Sequence, residues 1–170
     1  MTPDDASLVV EATREETGRA LWGARPLGPH SPAQAESALE SWTLPAGRQT
    51  SYGLVEDGRL TGAVGFMLDD EGGVELAYWV RPEARGRGVA VRMVRAVTER
   101  AHRDGGVARV WLEINPDNVA SQQVARKAGY RLEERVAAHC RSWVSDDPER
   151  DVWHDCLIWV HSDVGPQADA

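Results

Sequence analysis

The feature that most constrains this chain is a change of hydrophobic period across one basic turn, Arg81-Pro82-Glu83-Ala84-Arg85-Gly86-Arg87-Gly88-Val89-Ala90. Upstream, apolar and polar residues alternate with the two-residue period of half-buried strands. Ser51–Glu56 and Leu60–Leu68 flank Asp57-Gly58, a dipeptide suited to the left-handed residues of a tight hairpin. The acidic turn Asp69-Asp70-Glu71-Gly72-Gly73 leads to a third strand, Val74–Val80, so the run predicts an antiparallel meander. Downstream, Val89, Ala90, Met93, Val94, Val97 and Ala101 recur at helical spacing and predict a helix from about Gly88 to about Asp104, stopped by Gly105-Gly106. A strand that passes through glycines straight into a helix sets unpaired N–H groups and the positive end of a helix dipole at one place, which suits a phosphate or diphosphate. Arg85 and Arg87 add charge there. The plainer alternative is that Gly86 and Gly88 cap and turn while the arginines are solvated.

The remaining segments predict a mixed α/β sheet. Asp4 or Asp5 can cap a helix over Ala6–Ala12. Ser31-Pro32 reads as a cap and first residue of a second helix, which runs to about Trp42 and ends at Pro45-Ala46-Gly47. Ala108–Ile114 reads as a strand, Asn115–Asn118 as a turn, and Val119–Ala128 as a short helix closed by Gly129. Two late strands are expected near Arg135–Trp143 and Val152–His161, joined by the polar loop Ser145–Arg150. Residues 1–161 read as one domain and 162–170, small and polar with a Gly-Pro break, as a flexible tail.

Charge narrows the partners. With 27 acidic and 19 basic residues the formal net charge is −8, which disfavours nucleic acid or an anionic membrane at long range. No run of apolar residues is long enough to span a bilayer, and the start of the chain lacks the pattern of a signal peptide. Cys140 and Cys156 are too few for a disulfide framework, so reduced thiols and a cytoplasmic location are expected. Two nucleotide-binding patterns fail: no Gly-Lys-Ser/Thr follows the glycines, and Val91 stands where a dinucleotide fingerprint needs its third glycine.

The run Arg85-x-x-Gly88-x-Ala90 resembles the diphosphate loop of the Gcn5-related N-acetyltransferases. The likeness continues in Glu75-Leu76-Ala77-Tyr78-Trp79-Val80-Arg81-Pro82, in Asn118-x-Ala120-Ser121 and in Lys127-Ala128-Gly129-Tyr130. Together with Asp151-Val152 and Asp155-x-Leu157, these residues are most similar to the branch that acetylates ribosomal-protein N-termini, which also holds acetyltransferases of small amines. The resemblance spans about Gly53 to His161. It implies a sheet of about six to seven strands, mostly antiparallel and splayed near Val80, flanked by about four helices. Acetyl-CoA is then the cosubstrate and the acceptor is a primary amine, either a protein or peptide N-terminus or a small molecule. The amine attacks the thioester directly and expels a thiolate through a tetrahedral intermediate. A homodimer is expected by analogy with that branch. The rival reading is an inactive module that binds acyl-CoA as a sensor or interaction partner.

The same resemblance assigns residues. Backbone groups at Trp79 and Val80 would pair with the pantetheine arm, Arg85, Gly86, Arg87, Gly88, Val89 and Ala90 would hold the diphosphate, and Asn118 would bond the pantetheine amides. Glu75 is the candidate general base; its alternative is a solvated strand glutamate or one that fixes an arginine. Ser121 is the candidate proton donor to the thiolate; its alternative is a helix cap. Many relatives carry a tyrosine for that role at the position occupied here by Ala125. Tyr130 reads as packing. No metal is expected: His139-Cys140 and His154-Asp155-Cys156 lack paired cysteine spacing, and neighbours on a strand point to opposite faces. Most of the seven tryptophans read as core, while Trp22 and Trp42 could line an acceptor wall. Asp69-Asp70-Glu71 reads as a solvated turn. The branch usually opens with a strand before its first helix, and Pro3-Asp4-Asp5-Ala6 here already reads as helix.

Overall fold

The computed structural model describes residues 1–14, 29–42, 49–142, 145 and 147–163, with only the backbone of 41 and 42. Trp22, Trp143, Pro45-Ala46-Gly47, the tail from 164 onward and the Trp42 side chain lie outside the described residues.

A 3-10 turn, Pro3–Asp5, runs into α1 (Ala6–Ala12), and α2 follows at Pro32–Trp42. Ser31 and Gln34 cap α2 reciprocally: Gln34 N–H donates to Ser31 Oγ at 3.3 Å and Ser31 N–H to Gln34 Oε1 at 2.8 Å. The meander is β1 (Gln49–Glu56), β2 (Arg59–Leu68) and β3 (Val74–Val80). Then come α3 (Val89–Gly105), β4 (Arg109–Ile114), α4 (Val119–Ala128), β5 (Arg131–Ser142) and β6 (Val152–Ser162). The sheet has six strands in the order β1-β2-β3-β4-β6-β5, antiparallel except for β3 with β4. Among the described residues no strand precedes α1.

The β3–β4 seam governs the site. These strands pair only at Val74↔Val110 and Glu75↔Trp111, then diverge. The β4 side of β3 from Leu76 to Val80 is thereby left open. α3 and α4 cover one face of the sheet with the main core, in which Val89, Met93, Val94, Val97 and Ala101 meet Val74, Leu76, Val110, Leu112 and Trp159. On the opposite face α1 and α2 pack Val9, Ala35 and Leu39 on Leu60, Ala63 and Trp79. A smaller cluster, Cys156, Ile158 and Val160 with Trp111, Val136 and Cys140, lies across β4, β5 and β6.

Several expectations need correction. β5 begins at Arg131 rather than near Arg135, because it pairs with β6 from Arg131↔Val160 onward while its first residues are exposed and carry no alternating apolar signal. Cys140 and Cys156 are not free thiols; they are bonded to each other, tying β5 to β6. Asp69 does not belong to a merely solvated turn. Its Oδ1 accepts from the N–H groups of Glu71 (2.9 Å) and Gly73 (2.7 Å), and its Oδ2 accepts from Trp111 Nε1–H at 3.0 Å, fixing the β2–β3 turn to β4. Trp79 and Trp159 are core, whereas Trp153 is 58% exposed on the outer strand pair. Tyr130 packs as expected, 3% exposed, with its hydroxyl against Thr98 Oγ1 at 2.5 Å.

Candidate active site

The turn between β3 and α3 has the conformation its glycines suggest. Gly86 and Gly88 sit at φ 72° and 75°, a left-handed region costly for other residues. A Cβ built on Gly86 would meet nothing within 4 Å, and on Gly88 only Arg92 Nη1 at 3.8 Å, so the space over the turn is open. The first bond of the helix ladder runs from Arg92 N–H to Gly88 O at 3.1 Å, and no side chain caps α3. The N–H groups of Val89, Ala90 and Val91 therefore have no partner within the helix. The open backbone, the unpaired donors and the dipole fit a diphosphate.

The three arginines of the turn play different parts. Arg81 is 2% exposed and faces inward: its Nε–H donates to Leu60 O at 2.6 Å and its Nη2 pairs with Glu11 Oε2, clamping α1 to β2. Arg85 turns back so that Nε–H donates to Val80 O at 3.1 Å. Arg87 is exposed, 3.8 Å from Glu56. Charge over the turn thus comes from Arg85, Arg87 and Arg92, whose Nη1–H donates to Arg87 O at 3.0 Å.

A cleft of about 650 Å³ opens from this turn into the β3–β4 splay. Its walls include Trp79, Val80, Arg85, Gly86, Gly88, Val89 and Ala90 on one side and Asn118, Ser121, Val124 and Lys127 on the other. The structure therefore brings together eight of the nine residues assigned to the cofactor, Arg87 being absent from the wall, and it adds Ser121. Asn118, not Ser121, caps α4: Ser121 N–H donates to Asn118 Oδ1 at 3.0 Å. That leaves the Asn118 side-chain NH₂ as its donor toward the cleft.

Glu75 lies apart from the cleft wall. Strand alternation places it on the face opposite Val74 and Leu76, away from α3 and α4. There it shares a floor with Trp111 and Glu113 of β4. Burial pushes its carboxyl up to about 7, with the neighbouring charges of Glu113 and Asp69 acting in the same sense and His139 opposing. A carboxylate so tuned can accept a proton near neutral pH. Among the described residues no guanidinium is among the charges that perturb it.

Glu113 and His139 carry no motif in the sequence, and the reason for His139 is geometric. Ala138 has φ 48°, and the β5–β6 register shifts between Val136 and Cys140. This bulge, whose Ala138 N–H donates to Asp155 Oδ1 at 3.2 Å, breaks the alternation. His139 and Cys140 consequently both reach one carboxylate: His139 Nε2 is 2.8 Å from Glu113 Oε1, and Cys140 Sγ is 3.4 Å from Oε2, with Cys156 Sγ at 3.7 Å. Adjacent side chains thus do not diverge at this point of β5, contrary to the expectation from strand alternation. The two sulfurs are engaged with each other, so they are not offered here as metal ligands. A signal for Glu113 did exist, as the single acid in the strand Arg109–Ile114.

A parallel seam that splays beside a glycine turn at a helix start is the geometry expected of an acetyl-CoA-binding acetyltransferase. The chain belongs to that family: the model of the acetyltransferase (GNAT) domain matches residues 1–131. It is similar to the L-2,4-diaminobutyric acid acetyltransferase of Streptomyces coelicolor, 30% identical over 159 residues, covering 80% of this chain and 84% of the relative. In fold it is similar to RimJ of Mycobacterium smegmatis in complex with a CoA disulfide, with TM-score 0.81 and 16% identity, covering 96% of this chain and 79% of that one. It is also similar to RimL, a ribosomal alpha-N-protein acetyltransferase in complex with coenzyme A, with TM-score 0.77 and 16% identity, covering 95% of this chain and 90% of that one. The protein is an acetyl-CoA-dependent N-acetyltransferase with a mixed α/β fold. No helix among the described residues is long and apolar enough to cross a membrane.

Proposed function

We propose that this chain acetylates the primary amine of a small molecule, both substrates being bound together and the amine attacking the thioester directly. The observation that carries the reading is the placement of Glu75: a buried carboxylate poised near neutrality on one face of β3, at the closed end of a splay whose other side opens into the coenzyme A cleft. Acetyl-CoA supplies an activated acyl group on a thiolate that leaves readily, with a thiol pKa of roughly 8–9.

The residues of the chain do the rest. The N–H groups of Val89 and Ala90 with the open backbone at Gly86 and Gly88 hold the diphosphate, and Arg85 and Arg87 neutralise it. Val80 offers its main-chain N–H to the pantetheine arm, whereas the register turns the Trp79 main chain toward Ala63 of β2, and Asn118 donates its side-chain N–H. One main-chain N–H of β3 in the splay is aimed where negative charge develops on the carbonyl oxygen. Glu75 accepts the ammonium proton through water. The Glu113–His139 pair, 2.8 Å apart with His139 49% exposed, offers that proton a way to solvent. Ser121 donates a hydrogen bond toward the leaving sulfur. Asp69, Glu75 and Glu113 make this face acidic, which favours a cationic acceptor. The diaminobutyric acid acetyltransferase likeness supports a small amine ahead of a protein N-terminus.

The test is a panel of amines and N-terminal peptides mixed with acetyl-CoA, followed by release of free thiol. Amine-dependent release from a small acceptor is expected. Binding of acetyl-CoA without release for any acceptor would refute transfer and leave a sensor or interaction module.

A further inference from the structure

Tyr78 is the innermost residue of β3 on the cleft wall, two residues deeper than Val80, and its hydroxyl is buried without a hydrogen-bond partner. A buried hydroxyl left unpaired is costly, so its retention points to a partner that arrives with the substrate or moves into place with it. The polar group beside it is Ser121 on the facing helix α4, near enough to offset part of the upward push that burial gives the phenol. Ser121 has no capping duty for its hydroxyl, because Asn118 Oδ1 already takes the relevant N–H. Farther along α4, Ala125 is fully buried and offers no hydroxyl.

We propose that Tyr78 is a positioning residue for the leaving sulfur: its O–H donates to Ser121 Oγ, and the Ser121 O–H is thereby aimed at the coenzyme A sulfur. Neither hydroxyl gives up its proton. The electron pair of the breaking C–S bond stays on sulfur, the two hydrogen bonds stabilise it, and the thiolate takes a proton from water after release. A phenol raised by burial stays protonated through the working pH range and is a donor throughout. Sequential hydroxyls polarise one another, so the outer one donates more strongly than it would alone. The inference rests on the acetyl-CoA reading above and assigns the handling of its product thiolate to a second side chain of β3, on the face opposite Glu75.

The experiment measures affinity for coenzyme A and for acetyl-CoA by calorimetry, below and above the thiol pKa, in the wild type, Tyr78→Phe and Ser121→Ala. Tyr78→Phe keeps the ring and its packing. The expected result is a loss of about tenfold in affinity for coenzyme A at high pH, where the thiolate is bound, with acetyl-CoA affinity unchanged at both pH values. Ser121→Ala should lose at least as much, and adding Tyr78→Phe to it should cost nothing further. Equal affinities of the two variants and the wild type for coenzyme A at high pH would overturn the proposal, as would equal losses for coenzyme A and acetyl-CoA. Failure of the wild type to bind acetyl-CoA at all would instead overturn the underlying cofactor reading, so the two failures are distinguishable.

Discussion

Glu75→Gln separates catalysis from stability in opposite directions. In the native protein the Glu75 carboxyl is raised from 4.5 to about 7, burial being the first cause and Glu113 the second. The fold therefore favours the protonated form. Its contribution is fully present below about pH 4.5 and is lost as pH rises through 7. A pKa displaced by one pH unit corresponds to about 1.36 kcal/mol, so the ionised carboxylate costs the native state on the order of 3 kcal/mol above pH 8. Glutamine fills nearly the same volume without a charge, so the variant is expected to be more stable than the wild type by up to about 3 kcal/mol at pH 8, and by little near pH 4.5. Catalysis moves the other way. A lost general base costs about 10² to 10⁴ in rate, and the wild-type advantage should grow about tenfold between pH 6 and pH 8 as Glu75 ionises. Taking the ratio of wild type to variant removes the titration of the acceptor amine itself. Urea unfolding at the two pH values and thiol release across the same range supply both readouts. A variant no more stable at pH 8 than the wild type, together with a pH-independent rate ratio, would refute the buried-base reasoning.

Two further substitutions probe the clamp and the turn. Arg81→Met removes a buried guanidinium from Leu60 O and leaves Glu11 without that partner; a loss of about 2–3 kcal/mol in urea unfolding is expected, and a loss below about 1 kcal/mol would deny the clamp. Gly88→Ala places a methyl group where the protein itself offers no clash, at φ 75°. It should cost about 1–2 kcal/mol of stability yet weaken coenzyme A binding by about tenfold or more, because the methyl stands over the backbone the diphosphate approaches. Unchanged affinity in calorimetry would show that the diphosphate rests elsewhere.

The legible part of this molecule was local. The hairpin at Asp57-Gly58, the helix stripe from Val89 to Ala101, the Ser31 cap and the turn at Gly86 and Gly88 each depend on residues within a few positions of one another, where turn chemistry and periodicity act. The candidate diphosphate turn follows from such local order, because a strand, a turn and a helix N-terminus are consecutive in the chain. Glu75 was legible as a candidate through the family resemblance of its strand, but its tuning was not: burial and proximity to Glu113 on another strand set it.

What only the tertiary structure decided was which distant side chains meet. His139 reaches Glu113 through a bulge at Ala138, and a single residue of register shift there reverses which face a side chain takes. Cys140 and Cys156 meet because β5 and β6 are partners, and Arg81 turns inward because α1 delivers Glu11 to it. Tyr78 and Ser121 face one another only because β3 and β4 stop pairing after Glu75. Sequence sets the conformations available to each short segment, since those follow from local sterics and solvation. The charges and hydroxyls that share a low-dielectric space are fixed by packing between segments far apart in the chain.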